Sequence, residues 1–312
     1  MNLASLFPWR QQEDEDERLA QPLLSEDEIR SIFLRCTQCD SSLPLMDVAG
    51  RQAGDARSIH RGYGLDYEES RPYQPGDETR FMNWRLSART GDLQMKVFRE
   101  ERKPSAFILI DRRNSMRFGT QSQLKLTQVL RTATTISAHA LQANQAVSIV
   151  RLDQQLHWSD AESSESGILN QLYESAVAAP PMDQMDNSPD LLKALDLLLE
   201  KRVAGSRIYL LSDFIDLCDL HRNRLVQLAS DCKLFSLLFY DPVEYRMPKA
   251  GRLRFAGTNG PITLDTADPQ LQGRYHAMAK EHFEHRKALF KKLGIPCQMI
   301  STREEEPTLE AL

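Results

Sequence analysis

The sequence predicts an α/β fold: an open, mostly parallel sheet with helices on both faces, preceded by a small β-rich, extended segment. Two observations lead there. Continuous apolar runs such as "SAFILID", "SRIYLLSDF" and "CKLFSLLFYD" read as strands buried on both faces. Segments with helical periodicity separate them. Short apolar strands alternating with helices in this way imply a mostly parallel sheet covered on both faces.

Taken in order, residues 1 to about 25 form a leader whose acidic run, Glu13 to Glu17, reads as a solvated tail. "LLSEDEIRSIFLRCTQCD" is a helix with Ser25 as N-cap and acids in its first turn. Residues 1–40 are therefore leader and helix. Residues 41–104 change character: they are rich in Arg, Gly, Pro and Tyr, with short alternating pieces such as "QMKVFREE", and predict short strands and ordered loops. The α/β domain runs over 105–303. Its first strand, "SAFILID", is followed by a helix, "QLKLTQVLRTATTISAHALQAN", with Leu124, Val129, Ala133, Ile136 and Ala140 on its apolar side. "AVSIVRLD" is the next strand, "GILNQLYESAVA" and "SPDLLKALDLLLEKR" are helices, and "SRIYLLSDF" is a strand. "LVQLAS" then reads as a helix and "CKLFSLLFYD" as a strand. A hairpin around "GRLRFAGTNGPITL" turns at Gly257 to Pro261. A helix from about Pro269 to Leu293 and the strand "CQMIST" close the domain, and residues 304–312 form an acidic tail.

Composition narrows the function classes. The 312 residues are 41% hydrophobic and 27% charged, an ordinary globular balance, and the net charge of -5 gives no bulk support for nucleic-acid binding. No apolar run approaches the roughly 20 residues of a membrane helix, so no membrane span is expected. The start lacks the basic region and long apolar region of a signal peptide. Five cysteines, an odd number, fit a reducing compartment, and the chain reads as cytosolic.

In a doubly wound sheet, sites lie at the carboxyl ends of strands. Asp111 and Asp213 each end one and are the first positions to question. A strand followed by Asp-x-Asp would suit an aspartyl-phosphate enzyme, but the second acid is replaced by Arg113, and no glycine-rich phosphate loop follows a strand. Each aspartate could also be a simple turn cap. Cys36 and Cys39 form one C-x-x-C, with His276, His282 and His285 far along the chain; two ordinary thiols and a solvated helix face explain them better than zinc.

The stretch "RGYGLDYEESRPYQPGDETRFMNWRLSARTGDLQMKVFREE" carries a denser pattern: Gly62, Gly64, Arg71, Tyr73, Pro75, Gly76, Asp77, Arg80, Trp84, Ser87, Ala88 and Arg89. It resembles the signature of a bacterial family known as domain of unknown function 58. That resemblance implies a von Willebrand factor A-like, Rossmann-like domain and a partnership with a MoxR-type AAA+ ATPase, with no established enzymatic activity, hence no catalytic residue. The von Willebrand A fold often holds a divalent cation through an Asp-x-Ser-x-Ser turn, a Thr and a second Asp. Aligned on this chain, these fall at Asp111, Arg113, Ser115, Ser188 (or Pro189) and Asp213. Magnesium needs near-octahedral oxygen coordination, and a guanidinium between two carboxylates satisfies them instead. Arg113 or Arg112 is thus expected to replace the ion as an internal countercharge. The expectation is a degenerate metal-ion-dependent adhesion site, no cofactor, and weak binding of any magnesium.

The signature segment also gathers Arg57, Arg61, Arg71, Arg80, Arg85, Arg89, Arg99 and Arg102 with Tyr63, Tyr67, Tyr73 and Trp84, interleaved with acids at Asp66, Glu68, Glu69, Asp77, Glu78 and Asp92. Internal Arg–carboxylate pairing comes first as an explanation, a partner surface second and nucleic acid third. The functional expectation is a non-enzymatic protein-interaction module acting on an unnamed client. Its alternative is a metal-dependent binder or hydrolase using Asp111, Ser115, Ser188 and Asp213.

Overall fold

Strands and helices alternate as expected in a computed structural model that describes residues 23–38, 65–74, 78–100, 104–120, 123–177, 190–255, 262–304 and 309. The chain divides into a larger unit, residues 1–48 with 104–312, and a smaller one, residues 49–103. Helix α1 (Glu26–Gln38) opens the larger unit, and Ser25 Oγ accepts from Glu28 N at 3.2 Å, as an N-cap should.

The smaller unit pairs β1 (Leu65–Pro72) antiparallel with β2 (Gln94–Glu100). Between them lie a 3-10 turn, Thr79–Phe81, and a helix, α2 (Trp84–Thr90), where only strands and loops were expected. Local chemistry builds that helix. Asn83 Oδ1 accepts from Leu86 N at its start, and Gly91, at φ 81°, closes its end in the left-handed region.

The larger unit continues through β3 (Ala106–Asp111), α3 (Lys125–Gln142), β4 (Val147–Leu152), β5 (Leu156–Trp158), α4 (Glu165–Ala176) and α5 (Leu191–Lys201). Next come β6 (Arg207–Ser212), α6 (Arg222–Asp231), β7 (Lys233–Tyr240), α7 (Pro242–Tyr245), the hairpin β8 (Arg252–Phe255) and β9 (Ile262–Asp265), α8 (Pro269–Lys292) and β10 (Cys297–Ser301). The central sheet has the order β10-β7-β6-β3-β4-β5 and is parallel except for β5, which runs antiparallel on β4. Register is tight: Ala106 lies opposite Val147 on one side and Arg207 on the other.

Helices cover both faces, which is why the strands read as unbroken apolar runs. Ala106, Ile108 and Ile110 point into one core cluster with Ile29, Phe33, Val129, Ala133 and Leu172, hence with α1, α3 and α4. Phe107 and Leu109 point into the other, with Leu195 of α5, Leu225 of α6 and Phe290 of α8. So α1 is core of the larger unit. Its last turn is held by Gln142 Nε2, which donates to the carbonyls of Cys36 and Thr37 at 3.1 and 2.9 Å. Leu309 is buried in the same cluster as α1.

Candidate functional site

β3 and β6 are neighbours at the point where the strand order reverses; β3 ends on Asp111, and Asp213 directly follows Ser212, the last residue of β6. Crevices form there because successive connections leave to opposite faces of the sheet. Asp111 is fully buried, as is Ser212 beside it.

Arg113 curls back over the end of its own strand. Its backbone N–H and Nε each donate to Asp111 Oδ1 at 3.0 Å, and Nη2 donates to Oδ2 at 2.7 Å. The far edge of the same guanidinium forks onto Asp216: Nη1 donates to Oδ2 at 2.6 Å and Nη2 to Oδ1 at 3.0 Å. Such paired, charge-assisted bonds use the fixed fork of arginine. Ser212 Oγ completes the shell of Asp111 Oδ2 at 2.6 Å while accepting from Phe214 N. Both oxygens of Asp111 are thus engaged, each by Arg113 and Oδ2 also by Ser212. Burial pushes the Asp111 pKa up, opposed by the bonds and charge of Arg113.

A second cation answers the second strand-end acid. Lys125, at the first turn of α3, is wholly buried, and its Nζ donates to Asp213 Oδ2 at 2.8 Å and to Glu244 Oε1 at 2.7 Å. Burial alone would raise Asp213; Lys125 outweighs it and, with a hydrogen bond from Ser115, holds the carboxyl below the usual range. Burial pushes Glu244 up. Arg286 Nη1 donates to the Asp213 carbonyl at 3.1 Å. Between the two acids, Phe214 sits at φ 50°, rare for a bulky residue, and is pinned by its edge-on packing against Phe290.

The structure therefore brings Asp111, Arg113, Ser115 and Asp213 together and corrects how they pair. The guanidinium bridges Asp111 to Asp216 and not to Asp213, which takes Lys125. Arg112 plays no part: it is turned toward Val177 O at 2.8 Å and Asp153 at 3.6 Å. Ser188 and Pro189 lie outside the described residues. Lys125, Asp216 and Glu244 escaped the sequence, being 88 and 103 residues from Asp213 and Arg113 or on a four-residue helix. Among the described residues no group of three His, Cys, Asp or Glu is placed to hold a metal ion. Cys39 is outside them, and His276 is turned to the Tyr245 carbonyl at 3.2 Å.

In the smaller unit, Ser87 Oγ donates to Asn83 O at 3.0 Å and accepts from Gln94 N at 2.8 Å, tying α2 to the start of β2. Arg71 Nη1 donates to the Pro72 carbonyl. Arg80 pairs with Glu78 and lies over the Phe81 ring, both ions mostly exposed. Trp84, Ala88 and Arg89 are exposed and Tyr73 is half-buried. Glu13 to Glu17, Arg57, Arg61, Gly62, Tyr63, Gly64, Pro75, Gly76, Asp77, Arg102, the turn at Gly257 to Pro261 and residues 305–308 lie outside the described residues, as do the side chains of residues 65–69 and 97–100.

A family model described as "Protein of unknown function DUF58" matches residues 69–285. Two curated relatives, "Uncharacterized protein Rv1480" of Mycobacterium tuberculosis and "Uncharacterized protein Mb1516" of Mycobacterium bovis, are each 22% identical over 251 residues, covering 80% of this chain and 78% of theirs. Among solved structures, "conserved hypothetical protein BatB" from Bacteroides thetaiotaomicron is similar at a TM-score of 0.41 and 12% identity, covering 64% of this chain and 91% of that one. "An aerotolerance-related membrane protein" from Bacteroides fragilis follows at 0.35 and 12%, covering 62% and 99%. An "Uncharacterized Membrane Spanning Protein" from Vibrio fischeri gives 0.22 and 15%, covering 64% and 93%. The cytosolic assignment is corrected at this point, because two of these neighbours are described as membrane proteins. It rested on the lack of a long apolar run, the missing signal-peptide pattern and the cysteine count, none of which fixes where a domain resides. Among the described residues no helix is long and apolar enough to cross a membrane.

Proposed function

The chain belongs to the family described as Protein of unknown function DUF58, and from that premise we propose that it is a non-enzymatic protein-interaction module with a von Willebrand A-like larger unit. Its partner, on the family resemblance, is a MoxR-type AAA+ ATPase acting on a client protein. The observation that supports this reading is the pairing of the acids at the switch point with side-chain cations: Arg113 spans Asp111 and Asp216, and Lys125 spans Asp213 and Glu244. These four carboxylates are already satisfied by two fixed cations. The sheet order, with one antiparallel edge strand, supports the fold assignment. The contact surface is the strand-end rim, where Ile215 and Leu220 are 56% and 71% exposed on the loop that carries Asp216. The site is a degenerate adhesion site that works without cofactor.

The test is a pull-down with the tagged protein, with and without magnesium and ATP, comparing wild type, Asp111→Ala and Ile215→Glu. Recovery of an AAA+ ATPase by the wild type, lost in both variants and indifferent to magnesium in the bait, supports the adaptor. Ile215→Glu changes only an exposed side chain, so its effect is not one of folding. The second reading, a metal-dependent binder or hydrolase, draws on the gathering of Asp111, Ser115 and Asp213 and requires a thermal shift with magnesium or manganese. A clear shift together with capture that depends on magnesium would reject the adaptor in its favour.

A further inference from the structure

The exposed face of α2 is not used by the strand-end rim, and its chemistry is specific. Trp84 and Ala88 stand one turn apart, as do Arg85 and Arg89 in the adjoining row, and all four are exposed. Trp84 is 66% exposed, and Leu93, three residues past the end of α2, is 48% exposed. The opposite side of this short helix is fixed by the Asn83 cap and by the Ser87 clasp on Gln94, so the outward face is presented rigidly. Arg85 and Arg89 make no ion pair among the described residues. From Glu78 to Lys96 the exposed cations are Arg80, Arg85, Arg89 and Lys96 against the acids Glu78 and Asp92. That is a basic island on a chain whose net charge is -5.

An exposed indole flanked by guanidiniums that pair with no described carboxylate is the combination that anchors protein interfaces: the ring fills an apolar notch and the arginines take carboxylates around it. We propose that the Trp84–Arg85–Ala88–Arg89 face docks an acidic segment of a partner protein, in which apolar side chains alternate with Asp or Glu. This rests on the reading of the chain as an interaction module and names the chemistry of one of its faces. Nucleic acid fits less well, because one short helix with two acids beside it offers neither a stacking platform nor a continuous charged track.

The probe is a synthetic peptide, EELLEELLEELL, titrated into the whole protein while tryptophan emission is followed. The expected result is a saturable blue shift that vanishes in Trp84→Phe. In Arg85→Glu/Arg89→Glu the apparent Kd should rise by at least about tenfold. These are surface changes, and circular dichroism checks that each variant keeps its fold. No shift in the wild type, a shift retained in Trp84→Phe, or an unchanged Kd in Arg85→Glu/Arg89→Glu overturns the proposal. So does tighter binding of a 20-nucleotide single-stranded DNA, which moves the face to nucleic acid. A dimer in sedimentation velocity that Arg85→Glu/Arg89→Glu dissociates overturns it too, by making a second copy the occupant. Failure with the peptide alongside ATPase recovery in the pull-down removes this face and leaves the adaptor; the converse outcome does the reverse.

Discussion

Arg113 is placed so that its loss strands a charge. Asp111 has no exposure and, among the described residues, only Ser212 besides Arg113 to answer it, so Arg113→Met should lower unfolding free energy by about 3–5 kcal/mol, the range for breaking a buried pair by removing one partner. Urea denaturation measures this, and a loss below about 1 kcal/mol would show that the bridge is slack. Arg113→Lys should recover little, since an ammonium cannot fork onto two carboxylates. Asp216 gives the matching acid signature. Burial raises its pKa, but the hydrogen bonds and charge of Arg113 outweigh that and hold it below the ordinary aspartate value. Its folded-state pKa being depressed, its contribution is complete above about pH 3.9. It is lost as pH falls through the lowered value. Asp216→Asn should therefore flatten the stability curve below about pH 4 while leaving its shape near neutrality unchanged. The strand-end aspartates were legible because an apolar run that stops on Asp marks its own end. The pairing was not, because Lys125 and Asp216 reach the site only through the packing of α3 and the loop after β6.

At the level of elements, α2 is a seven-residue helix that propensity alone would not form. Its boundary signals stood in the sequence, Asn83 before it and Gly91 after it, yet the surrounding glycines and arginines hid a helix of about two turns. Ser87 is the residue that makes it part of a structure. Ser87→Ala removes the acceptor for Gln94 N and the bond to Asn83 O, and should cost about 1–2 kcal/mol locally. Hydrogen exchange at the Gln94 amide reads it directly: protection should fall about tenfold with little change in β3. The three-residue β5 was unreadable for a different reason. Its register is set by pairing with Val150, Arg151 and Leu152 rather than by any apolar period of its own. The long parallel strands, by contrast, need both faces apolar, and β3, β6 and β7 were readable from that alone.

The two cores decide the behaviour of the larger unit as a whole. Helix α1, which the sequence set apart with the leader, and Leu309, which it left in an acidic tail, both enter the same apolar cluster over β3. One leucine among acids gives no periodic signal, so no reading of residues 304–312 could have found it. Leu309→Ala should lower stability by about 2–5 kcal/mol, as other buried leucine truncations do. A thermal melt that does not move would show that this contact is dispensable. The same closure has a consequence for how the protein is made. On the ribosome the smaller unit emerges and can settle while α1 waits, because β3 has not yet been synthesised. The cluster that α1 and Leu309 share cannot close until some two hundred further residues have left the exit tunnel. Until β3, α3 and α4 have emerged, Ile29 and Phe33 lack the side chains they pack against, and a nascent-chain chaperone has a place to hold.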